Sequence, residues 1–391
     1  MRLLGIRGAV LAAIAVVGIS TQVNAQQGTS QITARLQHLV RRERWQAAGR
    51  RSVGTNSAAL RSQAIRQKLQ MRAVNIANPA TAIVSGAWTS LGPFALPSDA
   101  SGIGLQDYGW VSGRATAVAI DPNDLSGNTV YAGGAYAGVW KSKNAGAANP
   151  DPGLVLWHPL TDDQPTLAVG AIAVQPQLSN PNANTSVVLV ETGETNSSGD
   201  SYYGLGILRS INGGSTWALI SCANAGSQGC SQPSPGTHSF AGLGFSKIVF
   251  SSANPNLVVA ATASASEGIL EGLENPVIAN RGLYYSTDAG ISWNAANVAD
   301  AGVSISASSV TSVAYNAAAT IFYAAIRFHG IYSSRDGITW TRLGAQPGVL
   351  GSAPCPSLTA LQNGCPIYRG EIAVVSVAPS HSGWERCTFG T

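Results

Sequence analysis

Glu191, Glu194, Asn196, Asp200, Tyr202 and Tyr203 fall within one short segment, ETGETNSSGDSYY. Carboxylates this close in sequence can divide acid and base work on a glycosidic bond, one protonating the leaving oxygen and one activating water. Glu191, Glu194 and Asp200 are therefore the candidate catalytic residues. Tyr202 and Tyr203 offer aromatic faces on which sugar rings can stack. The same oxygens could instead hold Ca2+, which favours carboxylate ligands, or Glu191 and Glu194 could satisfy loop amides. No other cofactor and no metal site is expected, because the five histidines are scattered and the five cysteines lack zinc spacing. Neither a Gly-x-Ser-x-Gly elbow nor a His-Glu-x-x-His helix is present.

The elements that would position these groups are repeats. SINGGSTW (210–217), STDAGISW (286–293) and SRDGITW (334–340) are copies of one turn, each following an apolar run that opens on Gly. A looser copy, GVWKSKNAG, begins at Gly138 and reaches Trp157 after an insertion. Upstream of each turn lie two apolar runs. The first, inner runs are RATAVAIDPN (114–123), AVGAIAVQPQ (168–177), KIVFSSANPN (247–256) and SVTSVAYN (309–316). The second are NTVYAGG (128–134), SVVLVETG (186–193), NLVVAAT (256–262) and TIFYAAI (320–326). Inner strands this apolar predict sheets covered on both faces. The expected fold is all-β: a β-propeller of four complete four-stranded blades, with EIAVVSVAP (371–379) starting a fifth. In a propeller, ligands meet the mouth of the central channel. Aligning the inner strands on their closing Pro or Asn puts Arg114, Ala168, Lys247, Ser309 and Glu371 at equivalent mouth positions. Two cations and one acid there would grip a polar or anionic ligand.

The S-x-D-x-G-x-x-W turns resemble the Asp-box (BNR) hairpin of bacterial sialidases, sortilin-type receptors and xyloglucanase-type glycosidases. GRATAVAIDPNDLSGNTVYAGGAYAGVWKS and ETGETNSSGDSYYGLGILRSINGGSTW are similar to longer stretches of secreted BNR-repeat proteins, and the resemblance covers roughly residues 85–380. It implies that the boxes sit on the rim, away from any site. Ser210, Asn212, Gly214 and Trp217, then Ser286, Asp288, Gly290 and Trp293, then Ser334, Asp336, Gly337 and Trp340, are accordingly read as structural. The Asp or Asn would accept N–H groups of its own turn, the glycine would supply positive φ, and the Trp would pack on the blade edge. The resemblance also weighs against hydrolysis. Where xyloglucanase-type propellers carry an Asp before the first blade's third strand, this chain has Ala135 in GGAYAGVW. The arginine motif of sialidases has its nearest match in Tyr368-Arg369-Gly370, which lacks Ile-Pro.

Charged residues make up only 11 % of the chain and 44 residues are Gly, as suits an all-β exported protein. Residues 1–25 read as a signal peptide: Arg2 and Arg7, an apolar stretch from Gly8 to Ile19, then Val23-Asn24-Ala25. No transmembrane segment is expected after its removal, and the protein is placed outside the cytoplasm, secreted, periplasmic or at the cell surface. Cys222 with Cys230, and Cys355 with Cys365, are close enough to staple single loops. Net charge is +4, but ten basic residues from Arg35 to Arg72 face one acid, Glu43. Residues 26–84 are thus a basic helical arm, either a tether to an anionic surface or a spacer packing on the acidic body. Nucleic acid is not an expected partner. Residues 381–391 read as an irregular tail, the mark of a truncated terminus or of a fragment of a longer chain.

Three functions are compatible with these residues. The leading one is a non-catalytic module binding a polysaccharide or an extracellular or envelope protein. The second is a glycoside hydrolase of the xyloglucanase or sialidase-like kind. The third is a protein-binding scaffold of the sortilin or photosystem-assembly kind.

Overall fold

A computed structural model of the chain describes residues 57–77, 96–97, 110–111, 113–146, 151–196, 201–225, 230, 236–265, 280–300, 302–344, 346, 369–374 and 388–390. Ala58–Thr391 form one compact unit. After helix α1 (Ser57–Ala77) and the small pair β1 (Leu96–Pro97) with β2 (Trp110–Val111), the described chain runs through successive antiparallel sheets. Blade 1 is β3 (Ala115–Ile120), β4 (Val130–Gly134), β5 (Val139–Ser142) and β6 (His158–Pro159). Blade 2 is β7 (Val169–Val174), β8 (Val188–Thr192), β9 (Ile207–Ser210) and β10 (Ala218–Ile220). β11 (Cys222–Ala223) pairs with β12 (His238–Ser239), next to a Cys222–Cys230 disulfide. Blade 3 is β13 (Leu243–Phe250), β14 (Val258–Ser264), β15 (Gly282–Ser286) and β16 (Asn294–Ala295).

The fourth blade departs from the four-strand expectation. β17 (Asn297–Asp300) and β18 (Val303–Ser304) join β19 (Val310–Asn316), β20 (Ile321–Ile326), β21 (Gly330–Ser334) and β22 (Thr339–Arg342) in a six-stranded sheet. β17 runs parallel to β22, so chain leaving blade 3 covers what would be blade 4's open outer edge. The tail also differs from expectation. Thr388–Gly390 is not irregular but forms β24, which pairs with β23 (Glu371–Ala373). Cys355 and Cys365 lie outside the described residues, as do 1–56. Among the described residues no helix is long and apolar enough to cross a membrane.

Strand alternation builds the cores between blades. Val188 and Val190 face blade 1 and, with Val169 and Ile172 of their own blade, share a core with Tyr131 and Val139. Leu189, between them, faces blade 3 with Phe245, Ile248, Val258 and Tyr284. Likewise Val258 and Ala260 pack toward blade 2, and Val259 and Ala261 toward blade 4. Blade 1 is the exception, because Val118 and Ile120 on its inner strand are 66 % and 63 % exposed. Its inner strand is therefore not covered on both faces.

A single irregularity recurs in all four inner strands. The pairing with the second strand slips after Ala115, Val169, Phe245 and Val310, leaving Thr116, Gly170, Ser246 and Thr311 as bulged residues. Three of them donate a hydroxyl to the next blade: Thr116 to Val169 O (2.6 Å), Ser246 to Val310 O (2.8 Å) and Thr311 to Gly370 O (3.0 Å). At the fourth a side chain is forbidden, since a Cβ on Gly170 would run into the carbonyl oxygens of Phe245 and Gly193.

Each repeated turn is closed by its own side chains. Asp288 Oδ1 accepts the Ser286 hydroxyl (2.6 Å) and the N–H groups of Ile291 (3.0 Å) and Ser292 (2.9 Å), while Ser286 Oγ accepts the Gly290 N–H (2.8 Å). Asp336 and Asn212 do the same in their own turns. Gly290 and Gly337 have φ of 81° and 72°. Two of the three tryptophans lie deeper than a blade edge, Trp217 being only half-buried. Trp293 and Trp340 are buried in the cores that their blades share with the preceding blade, their indole N–H groups donating to Gly290 O and Gly337 O. A large aromatic ring there closes the outer end of each interface.

Replacing Ser246 with Ala should cost about 1 kcal/mol of stability. Gly170→Ala should cost about 3 kcal/mol or more, because rigid backbone opposes the added methyl. Urea unfolding of the two variants checks the contrast, and equal losses would contradict it. Burial pushes the Asp288 carboxyl up, but hydrogen bonds from Ser286, Ser292 and Ile291 outweigh it and hold the pKa below the usual value. Its contribution is thus present above the unfolded pKa and fades as pH falls through the folded one. Asp288→Ala should destabilise at pH 7 and progressively less on acidification.

Candidate functional site

Hydrogen bonds fix which residues share a level at the mouth. The Ala135 N–H donates to Arg114 O, Gly193 to Ala168 O and Arg327 to Ser309 O, each at 2.9 Å. Strand pairing adds Gly244 in blade 3, which lies two residues before the bulge as Arg114, Ala168 and Ser309 do. In the fifth segment Gly370 receives the Thr311 hydroxyl, so Arg369 stands at that level. Lys247 and Glu371 are therefore not equivalent to Arg114. They lie further along their strands, and they form an ion pair with each other at 3.1 Å.

The mouth side of blades 1 and 2 gathers Arg114, Tyr136, Glu194, Asn196 and Tyr202. Glu194 follows β8 in a loop closed by its N–H to Tyr202 O (2.9 Å). Thr192 Oγ1 anchors the same loop by accepting the N–H groups of Leu205 (2.9 Å) and Gly206 (3.1 Å). Two backbone bonds then tie it to blade 3, Gly204 N–H to Leu243 O (2.8 Å) and Phe245 N–H to Gly193 O (3.1 Å). So held, Glu194 is 2 % exposed, with one carboxylate oxygen on the Arg114 guanidinium and the other on Asn196 Nδ2 (3.1 Å). The pair spans the junction between blades.

Beside this pair the rings of Tyr136 and Tyr202 stack, with centroids 4.4 Å apart and an interplanar angle of 29°. Tyr136 is 45 % exposed and Tyr202 half-buried, so together they present an aromatic face at the mouth. Tyr136 has no counterpart among the sequence candidates. Its position next to Ala135, in the blade 1 loop matching that of Glu194, was the available signal. Tyr203, by contrast, cannot stack on a ligand. It is buried against Ala58, Leu205 and Ala265, and its hydroxyl accepts the Ala58 N–H (3.0 Å). Helix α1 is held further by Arg61 to Gln164 O (3.0 Å) and Asp162 O (3.1 Å), and by an ion pair of Lys68 with Asp163.

Glu191 does not belong to the mouth either. It is fully buried in β8, pairs with Ala171 and Ile207, and has no hydrogen-bond partner on either oxygen. Its counterparts in the other blades are Gly133, Ala261 and Ala325. A carboxyl sealed inside a blade cannot reach substrate, and Glu194 has both oxygens engaged, so these two do not form an acid/base pair. Asp200 lies outside the described residues. Among the described residues no three His, Cys, Asp or Glu side chains converge as a metal site would require.

No protein-family model matches this chain, and no curated protein matches it. Among solved structures it is similar to an ancestral GH74 enzyme, at 24 % identity and a TM-score of 0.42, over 61 % of this chain and 25 % of that one. The GH74 xyloglucanase from Xanthomonas campestris is 18 % identical with a TM-score of 0.36, over 60 % and 31 % of the two chains. YCF48 from Cyanidioschyzon merolae is 12 % identical with a TM-score of 0.34, over 71 % and 72 %. This chain therefore spans less than a third of the two GH74 chains, and no activity is carried over from them.

Burial raises the Glu191 pKa well above the ordinary carboxylate value, because nothing offsets the desolvation of its charge. Its contribution to stability is therefore fullest below the unfolded pKa of about 4.3 and is lost as pH rises toward the folded one. Glu191→Gln, which cannot ionise, should match the parent at pH 4 and exceed its stability at pH 8 in urea unfolding. A parent as stable as the variant at pH 8 would mean that the carboxyl has a partner there.

Proposed function

We propose that the chain is an exported BNR/Asp-box propeller module that binds a polysaccharide at the mouth of blades 1 and 2 without cleaving it. The observation that carries this reading is the stacked Tyr136–Tyr202 face beside the Arg114–Glu194 pair. An apolar platform next to fixed polar groups suits a sugar ring, whose C–H face packs on the aromatic while its hydroxyls bond the charged edge. The turn chemistry of Ser286, Asp288 and Gly290 and its copies supports the BNR assignment. Export rests on the leader-like residues 1–25. Binding without turnover follows from the state of the carboxylates: Glu194 is neutralised by Arg114 and Glu191 is sealed away.

Titration calorimetry with cellohexaose as the first probe tests this. Tyr136→Ala and Tyr202→Ala should each weaken binding about tenfold, roughly 1.4 kcal/mol, with no reducing ends released on long incubation. Absence of binding, or binding indifferent to both variants, would sink the site. Reducing ends that appear with the parent and vanish with Glu194→Gln would overturn the non-catalytic reading.

A further inference from the structure

The two hairpins of each blade, first-to-second strand and third-to-fourth, lie at the end of the strands opposite the mouth. At that end, between blades 1 and 2, a cavity of about 300 Å³ is lined by Lys141, Lys143, His158, Asn184, Asn212 and Ser215, with Leu160 and Gly213 completing it. Lys141 is built into its wall: it is only 7 % exposed, its ammonium donates to Gly213 O (2.8 Å), and it lies 5.0 Å from the centre of the Tyr131 ring. Lys143 reaches Asn184 Oδ1 at 3.4 Å. Among the described residues no carboxylate is in ion-pair contact with Lys141, Lys143 or His158.

The next junction shows what is missing. Arg209 is the blade 2 counterpart of Lys141, and it bonds the next blade's turn in the same way, Nε to Ala289 O at 2.9 Å. There the turn supplies Asp288, whose charge favours the half-buried guanidinium. At the blade 1–2 junction the same turn position holds neutral Asn212. Asn212 is used up within its turn, accepting from Ser210 (2.9 Å) and Thr216 N–H (2.9 Å) and donating to Thr216 Oγ1 (2.9 Å). Burial, with Lys143 adding to it, lowers the Lys141 pKa, and the charges of Asp121 and Asp124 offset this in part. The junction thus has a buried ammonium, a second lysine, a histidine and an open space, without the turn carboxylate its sister carries.

We propose that this cavity binds a small tetrahedral oxyanion, a phosphate or sulfate group, which takes the place of the carboxylate that Asp288 provides one blade on. Lys141 and Lys143 supply charge, and the His158 ring can donate to a further oxygen, which a tetrahedral anion with several acceptors can use; the Ser215 hydroxyl already donates to Asn212 O (3.0 Å). The group is either free or the ester end of a larger ligand. The site is separate from the mouth and does not depend on the sugar-binding reading.

The test is calorimetric titration of the full chain at fixed low ionic strength with inorganic phosphate, sulfate and methyl phosphate. Asn212→Asp is the diagnostic variant: it keeps the turn's acceptor, as Asp does in the sister turns, but fills the anion's place with charge. It should weaken phosphate binding at least about tenfold and abolish the phosphate-dependent rise in Tm. Lys143→Gln should weaken binding without altering the fold, and neither variant should change cellohexaose binding at the mouth. Tighter binding of methyl phosphate would identify an ester-borne group, and tighter binding of the inorganic anions a free one. No binding of any of the three anions by the parent, or affinity unchanged in both variants, would overturn the proposal.

Discussion

The bulge near the start of each inner strand is the constraint on which the arrangement of blades depends. It turns one residue out of the ladder and aims it at the carbonyl of the neighbouring inner strand, through a hydroxyl at Thr116, Ser246 and Thr311. Each such bond is worth only about 1 kcal/mol, far less than the apolar burial between blades. Its role is to fix register. A slip of one residue in any inner strand would carry its whole apolar set to the wrong face. With the bulge fixed, alternate residues of the second strands are committed, Val188 and Val190 to one core and Leu189 to the next. The buried tryptophans then close these cores at their outer ends.

Blade 2 is where the repeat breaks its own pattern, and several of its departures face blade 3. Gly170 removes the hydroxyl that the other bulges carry, and the backbone of blade 3 moves into the space. The loop after β8 extends this close approach through Gly193 and Gly204 to Leu243 and Phe245. Glu191 stands where the other blades have Gly or Ala, and burial raises the pKa of its carboxyl well above the ordinary value. A sequence that spends a glycine, a buried acid and a long loop on one junction is holding the Glu194 segment in a defined place, since local departures from a repeat tend to mark functional or strained sites.

Much of the architecture was legible because it is local. Apolar runs gave the strands, the S-x-D-x-G spacing gave the turns, and a separation of 8 residues from Cys222 to Cys230 allowed the disulfide that forms. The mouth was less legible because the distance from the mouth level to the closing Pro varies: Pro122 and Pro176 lie 8 residues after Arg114 and Ala168, but Pro255 lies 11 after Gly244. Counting back from the closing Pro or Asn therefore slid Lys247 and Glu371 into a level that belongs to Gly244 and Arg369. Tyr136 was hidden for another reason: its partner Tyr202 is in a different blade, and only the packing of blades brings the rings together. Tyr203, adjacent to Tyr202 in the chain, is turned the other way, to Ala58, and adjacency could not distinguish the two.

Charge compensation follows the same division between local and cross-blade placement. Each turn supplies its own acceptor, but the cation it serves comes from the preceding blade, as Arg209 does for the turn of Asp288. A turn can therefore exchange Asp for Asn without losing its internal hydrogen bonds, and the electrostatic consequence appears one blade away. Asn212 costs its own hairpin little, because the amide oxygen still receives Ser210 and Thr216. What it changes is the environment of Lys141. At the mouth the compensation is complete, Arg114 meeting Glu194 across the junction, and the exposed chemistry left there is aromatic and polar. At the opposite end of the same two blades the cation is built in and the turn's own carboxylate is not, Asp121 and Asp124 offsetting its charge in part. One repeat, varied at single positions, thereby gives the two ends of one junction different binding chemistry: an aromatic face beside an ion pair, suited to sugar rings, and a lysine-lined recess suited to anions.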